Sequence, residues 1–230
     1  MQTKEKNFEN DIESYLLSNG YVKGNQATYD KARAIDMPVL ISFIQATQPK
    51  VWQRYQNVYG DKAEKQLYTI FQQNVEQSGL IYVLRNGVKD RGMDLKFFYS
   101  KPASNKNMEL VERYEKNILT RTRQFAYSTQ NDNTIDVVLS LNGIPIVAME
   151  LKNQLTGQSV ENAKRQFMYD RDEKELCFRF NTRFLVYFCV DLYEVAMTTE
   201  LKGDKTFFLP FNQGSNGAGN VGDGGKPKCE

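Results

Sequence analysis

The chain has 230 residues, 40% hydrophobic and 25% charged, enough for one large domain or two small ones and for a substantial core. Its 30 Lys and Arg against 28 Asp and Glu leave a net charge of +2, too small an excess to argue for or against nucleic acid. Histidine is absent, which excludes Ser–His–Asp and Cys–His nucleophilic catalysis and His-bearing zinc sites.

Chemistry near neutral pH therefore falls to carboxylates, lysine, tyrosine or a hard cation held by oxygen. No run approaches the roughly 18 apolar residues of a membrane span, and Met1 to Asn10 is too polar for a secretory signal. The three cysteines, Cys177, Cys189 and Cys229, form no close-spaced pairing. A reducing cytoplasm is the expected compartment.

In chain order, residues 4–19 predict a helix, with Phe8, Ile12, Tyr15, Leu16 and Leu17 at helical spacing and Gly20 as a stop. Residues 28–59 read as mostly helical, broken by Pro38 and Pro49, and residues 61–77 as a further helix. The period then shifts to two. Leu80–Leu84 and Leu95–Tyr99 read as strands, with Asn86-Gly87 as a hairpin signal. A short helix at 108–118 precedes a strand at 118–128. Ile135–Leu141 and Ile144–Leu151 are two apolar strands joined across Asn142-Gly143. Ser159–Tyr169 is a helix with Val160, Ala163 and Phe167 facing inward, and Phe184–Val190 has the make-up of a buried strand. Strands at 193–199 and 206–209 complete the pattern. The expected fold is α/β, a central mixed sheet flanked by helices, with an N-terminal helical elaboration over residues 28–78.

From Asn212 to Gly225, six of fourteen residues are glycine, a linker composition. Gly225-Lys226-Pro227 lacks the Ser/Thr and the strand-to-helix setting of a phosphate loop.

Chemistry concentrates on the 135–151 hairpin. Asp136 lies seven residues before Gly143 and Glu150 seven after it, so the two carboxylates stand opposite each other within about one residue of register. Glu150 and Lys152 are two apart and share a strand face. On an ordinary sheet these residues mark a solvated face with a cross-strand ion pair. Here Asp136 interrupts one apolar strand and Glu150 ends another, and a buried charge needs compensation. Mg²⁺, which takes one or two carboxylates and completes its shell with water and phosphate, would supply it. Arg121 and Arg123 on one strand, with Lys164, Arg165 and Arg171 after the hairpin, are candidates to track a phosphate backbone.

Asp136 followed after thirteen residues by Glu150-Leu151-Lys152 resembles the PD-(D/E)XK nuclease signature. Further blocks match in order: Ala46 to Trp52, Asn117 to Gln124, Asn142 to Pro145, Ala163 to Gln166, Tyr169 with Arg171-Asp172, and Phe207 to Gly214. Together they are similar to the N-terminal nuclease region of the R subunit of type I restriction-modification enzymes, from about Ala46 to Gly219.

That resemblance implies a restriction-endonuclease-like domain over residues 1–211, with 212–230 a linker toward a helicase-like motor that this sequence lacks. It implies Mg²⁺-dependent cleavage of double-stranded DNA in a complex with methylation and specificity subunits, with ATP used only through the motor. Asp136 and Glu150 would be metal ligands, Lys152 the catalytic lysine, and Glu9 an accessory acid on the first helix. Gln166 and Tyr169 would be the helix glutamine and tyrosine of the family, three residues apart here where four is usual, which still keeps them on one face. The alternative is a DNA-binding or docking domain that keeps the fold without activity.

Overall fold

The computed structural model describes residues 2–153 and 157–211, with side chains from Phe8 onward. The expected linker at 212–230 lies outside the described residues. The core of the fold is a seven-stranded mixed sheet in the order β1-β4-β5-β6-β7-β8-β9. β1 (Val22–Lys23) lies parallel to β4 (Leu119–Ala126), which runs antiparallel to β5 (Thr134–Leu141). β5 and β6 (Ile144–Leu151) form an antiparallel hairpin. β7 (Val186–Val190) is parallel to β6, and β8 (Val195–Thr198) and β9 (Leu209–Pro210) follow antiparallel. A parallel neighbour needs a crossover, and α7 (Val160–Tyr169) lies in the connection between β6 and β7. The α/β architecture expected from the sequence is the one observed.

Both sheet faces are covered. α1 (Gln2–Ser18) packs Phe8, Ile12 and Leu16 with Val137, Leu139 and Leu151 on one face. Tyr15, from the same helical pattern, is exposed to solvent. α7 buries Val160, Ala163 and Phe167 with Val138, Ala148, Tyr187 and Cys189 on the other face.

The N-terminal elaboration is a helical core of its own, made by α2 (Met37–Thr47), α3 (Pro49–Tyr59), α4 (Ala63–Ser78) and α5 (Leu80–Asn86). Its helices begin later than the sequence suggested, because residues 28–36 are turns that end at Asp36, the N-cap of α2. The two prolines start helices: Pro38 and Pro49 sit in the first turns of α2 and α3, where a missing N–H costs nothing. Gln48, between the two helices, spends its side chain on Lys96, donating to its carbonyl and accepting from its N–H, both at 2.8 Å.

Leu80–Leu84 is helical, contrary to the strand expected there. Gly79 closes α4 at φ +82°, the Leu80 N–H donates to the Asn181 carbonyl, and Leu80, Val83 and Leu84 bury one helical stripe. Asn86-Gly87 consequently ends α5. The local hairpin is β2 (Val88–Asp90) with β3 (Met93–Leu95), turning at Arg91-Gly92. Of the later elements, α6 is trimmed to Met108–Glu115, while the strand expected at 206–209 is displaced to Leu209–Pro210. No helix among the described residues is long and apolar enough to cross a membrane.

Candidate active site at the open end of the central hairpin

The β5–β6 turn is built from Asn142 at φ 52° and Gly143 at φ 83°, the paired positive angles of a two-residue hairpin turn. It is buried. Asn142 accepts from the Ile118 N–H at 2.7 Å and donates to the Phe97 carbonyl at 2.9 Å. The Gly143 carbonyl accepts from the Asp36 N–H, and a Cβ at Gly143 would run into the Asp36 carbonyl oxygen. The turn end is thus locked into the helical elaboration, and the open end of the hairpin carries the charged residues.

Near the turn Leu141 pairs with Ile144 and Ser140 with Pro145; beyond it Leu139 pairs with Val147, Val138 with Ala148 and Val137 with Met149. Ile146 is therefore an extra residue, a bulge beside Pro145, which has no N–H to give the ladder. Continued by one step, the second register sets Asp136 opposite Glu150. Both then share the face of Val138 and Ala148, the face covered by α7.

Glu150 is completely buried. Its Oε1 accepts from the Arg171 guanidinium at 2.6 Å, while its Oε2 is buried with no hydrogen-bond partner. Burial, reinforced by the nearby Asp136 carboxylate, outweighs the pull of Arg171 and Lys152 and pushes the Glu150 carboxyl up to about 8. Asp136 is half-buried. Its Oδ2 accepts from the Leu151 N–H at 2.8 Å, and its Oδ1 from the Gln124 amide at 3.3 Å. Lys152 follows β6, its N–H bonded to the Val190 carbonyl, with Nζ 3.9 Å from Asp136 Oδ2.

Asp136, Glu150 and Lys152 are therefore brought together. Gln166 and Tyr169 ride on α7 above the same face, Gln166 half-buried and Tyr169 64% exposed. Among the described residues neither is hydrogen-bonded to a carboxylate of the pair. Glu9 is engaged elsewhere: its carboxylate pairs with Arg123, whose register partner Val137 belongs to the α1 face of the sheet.

Arg121 and Arg123, expected as phosphate contacts, are held by α1. Arg121 is buried and pairs with Glu13, and Arg123 pairs with Glu9 and Glu13. The sequence carries a trace of this, since Glu9 and Glu13 are four apart on a helix and the arginines two apart on a strand. Arg171 was also expected to face DNA. It lies buried behind Glu150, two residues past the end of α7. Lys164 pairs with Glu161, and Arg165 is exposed. Gln124, which reaches Asp136 from the neighbouring strand and accepts from the Thr134 hydroxyl at 2.9 Å, went unnoticed as a site residue. Only the β4–β5 pairing, which sets Arg123 against Val137, reveals it.

Among the described residues no group of three or more Asp, Glu, Cys or His side chains is placed to hold a metal ion. The site offers two carboxylates and one unsatisfied buried carboxylate oxygen. Such a set suits Mg²⁺, which keeps several waters and takes one or two carboxylates with the substrate's phosphate oxygens. It does not suit an all-protein cage or a thiolate-loving metal.

The Ala46–Trp52 block serves a different place. Its residues Ala46 to Val51 border a cleft of about 690 Å³ between the α2–α3 junction and α6, which none of the candidate residues lines. No curated protein matches the chain. The family model for the N terminus of the type I restriction enzyme R protein does match it, over residues 44–206, a span that takes in the hairpin, α7 and the sheet strands from β4 to β8. On that match, the chain belongs to the family of type I restriction enzyme R protein N-terminal regions.

Proposed function

We propose that this region is the metal-dependent endonuclease module of a type I restriction enzyme, hydrolysing phosphodiester bonds of double-stranded DNA. The observation that carries the reading is the Glu150 carboxylate. It is fully buried, paired through one oxygen and unpartnered at the other, with a second carboxylate across the hairpin. A buried polar atom without a partner is costly, and native structures retain one where something else completes it.

Asp136 and Glu150 Oε2 would hold Mg²⁺. When bound, the ion supplies neutralisation of the scissile phosphate and a more acidic attacking water. The remaining work belongs to the chain. The Leu151 N–H and the Gln124 amide orient the Asp136 carboxylate from two sides. Lys152 shares the strand face of Glu150 and brings a positive charge to within 3.9 Å of Asp136, where it stabilises negative charge developing on the phosphate. The covering α7 keeps the inner half of the site dry, and a drier site makes each of these charges count for more. Methylation and specificity subunits would supply DNA recognition, and a motor outside this chain would use the ATP.

The test is Lys152→Ala in the assembled complex. Losing a transition-state contact of this kind costs about 10²–10³ in rate, so strand cleavage should collapse while DNA-stimulated ATPase and translocation continue. A docking domain without activity forecasts no change in cutting. Cleavage near the wild-type rate, with the melting temperature as a control, would refute the assignment.

A further inference from the structure

We infer that Arg171 is the positioning residue of the site: it fixes the Glu150 carboxylate so that Oε2 alone is left to take the metal. The inference rests on the reading of Glu150 as a metal ligand. Arg171 directly follows Asp170, the C-cap of α7, and its side chain is only 2% exposed. One guanidinium nitrogen donates to Glu150 Oε1 at 2.6 Å and to the Thr134 carbonyl at 2.8 Å. The other reaches the Tyr127 hydroxyl and the Asp170 carbonyl, each at 3.4 Å, and the group lies over the Tyr127 ring at 5.4 Å. A single planar group therefore ties the end of β6, the start of β5 two residues before Asp136, the segment after β4, and the C-terminus of α7. The spacing between the two carboxylates and their placement under α7 are set through it.

A purely structural ion pair makes poor sense of the same geometry. Two desolvated charges repay their burial only when their remaining hydrogen-bonding atoms are satisfied. Here one atom on each side, Glu150 Oε2 and Arg171 Nε, is buried without a partner. The arrangement instead resembles the outer-shell partner that orients a metal-ligating carboxylate. The role asks for a rigid fork with several donors, which lysine, a single point charge, does not provide.

The experiment is calorimetric titration of Mn²⁺ into the 230-residue chain at fixed pH, at a temperature where circular dichroism shows every variant folded. Wild type is compared with Arg171→Gln, Arg171→Lys and Tyr127→Phe. Loss of an outer-shell partner weakens metal binding by about 10–100-fold, and this is expected for Arg171→Gln. Arg171→Lys should recover only part of it, and Tyr127→Phe, which keeps its ring packing on Phe178, should show a smaller loss in the same direction. A lowered melting temperature with wild-type Mn²⁺ affinity would make Arg171 a structural partner only and overturn the inference. Full rescue by lysine would overturn it as well, since charge alone would then suffice. If Arg171→Gln does not fold, the lysine and Tyr127→Phe variants decide by the same criteria. A wild-type chain that binds no Mn²⁺ at 10 mM would overturn the metal reading itself and this inference with it, an outcome distinct from tight binding that ignores Arg171.

Discussion

Glu150→Gln should change the pH dependence of stability in a direction that is easy to mistake. The Glu150 carboxyl stands at about 8 in the folded chain against an ordinary value of 4.5, so the folded state holds that proton more tightly than the unfolded chain does. Its contribution is fully present below pH 4.5 and is lost as the pH rises toward 8. At about 1.4 kcal/mol per pH unit, the loss accumulates to roughly 5 kcal/mol across that window. Glutamine reproduces the protonated carboxyl at all pH values. The variant should therefore match wild type near pH 4 and exceed it progressively above pH 5, by on the order of 10 °C in melting temperature at pH 8.5. Other titrating groups are common to both proteins, so the difference between the two curves isolates Glu150. Addition of Mg²⁺ should erase much of the wild-type deficit at high pH and leave the glutamine variant unmoved, because a cation bound to the ionised carboxylate removes the cost of ionising it. The measurement is urea unfolding from pH 4 to 9 with and without Mg²⁺. A wild-type-minus-variant difference that stays flat across that range would refute the argument that burial dominates at Glu150.

Gly143→Ala should destabilise the chain by about 3 kcal/mol or more, since it forces a left-handed backbone on alanine and drives a Cβ into the Asp36 carbonyl oxygen, a backbone atom with little room to yield; chemical denaturation reads this directly, and a loss under 1 kcal/mol would mean that the turn is not clamped by α2. The purified 230-residue chain should hydrolyse no ATP with or without DNA, because Gly225-Lys226-Pro227 offers neither the Ser/Thr nor the spacing of a phosphate loop; DNA-stimulated phosphate release would contradict it.

Legibility in the sequence followed the length and isolation of each signal. The hairpin and α7 came through because each of their elements is an eight- to ten-residue pattern with its own start or stop residues, whereas the two-residue β1 is too short to leave one. α5 did not, because five residues of Leu, Ile, Tyr and Val satisfy strand propensity, and only the packed stripe of Leu80, Val83 and Leu84 shows the helical period. The basic residues failed for a different reason. Arg121 and Arg123 do share one strand, but whether such an arginine meets a phosphate or a carboxylate depends on which helix covers that face, and α1 supplies Glu9 and Glu13; Arg171 meets Glu150 instead.

The carboxylate pair depends on a detail finer than spacing. A two-residue turn at Asn142-Gly143 pairs Leu141 with Ile144; carried straight along the strands, that register would set Glu150 across from Ile135. Asp136 and Glu150 would then point to opposite faces, because one residue of slip moves every side chain on a strand to the other side. The symmetric count of seven residues about Gly143 left that ambiguity open, and the single bulged residue at Ile146 resolves it. Pro145 makes the bulge cheap, since the strand has no N–H to forfeit there. The bulge also falls on the turn side of the hairpin, where Ile144 and Ile146 pack into the helical elaboration, so the irregularity is absorbed by the rigid end and the open end keeps regular pairing up to Val137 and Met149. The chemistry of the site therefore rests on a backbone irregularity placed three to four residues away from it, in a stretch whose side chains are all apolar and carry no sign of the function they serve.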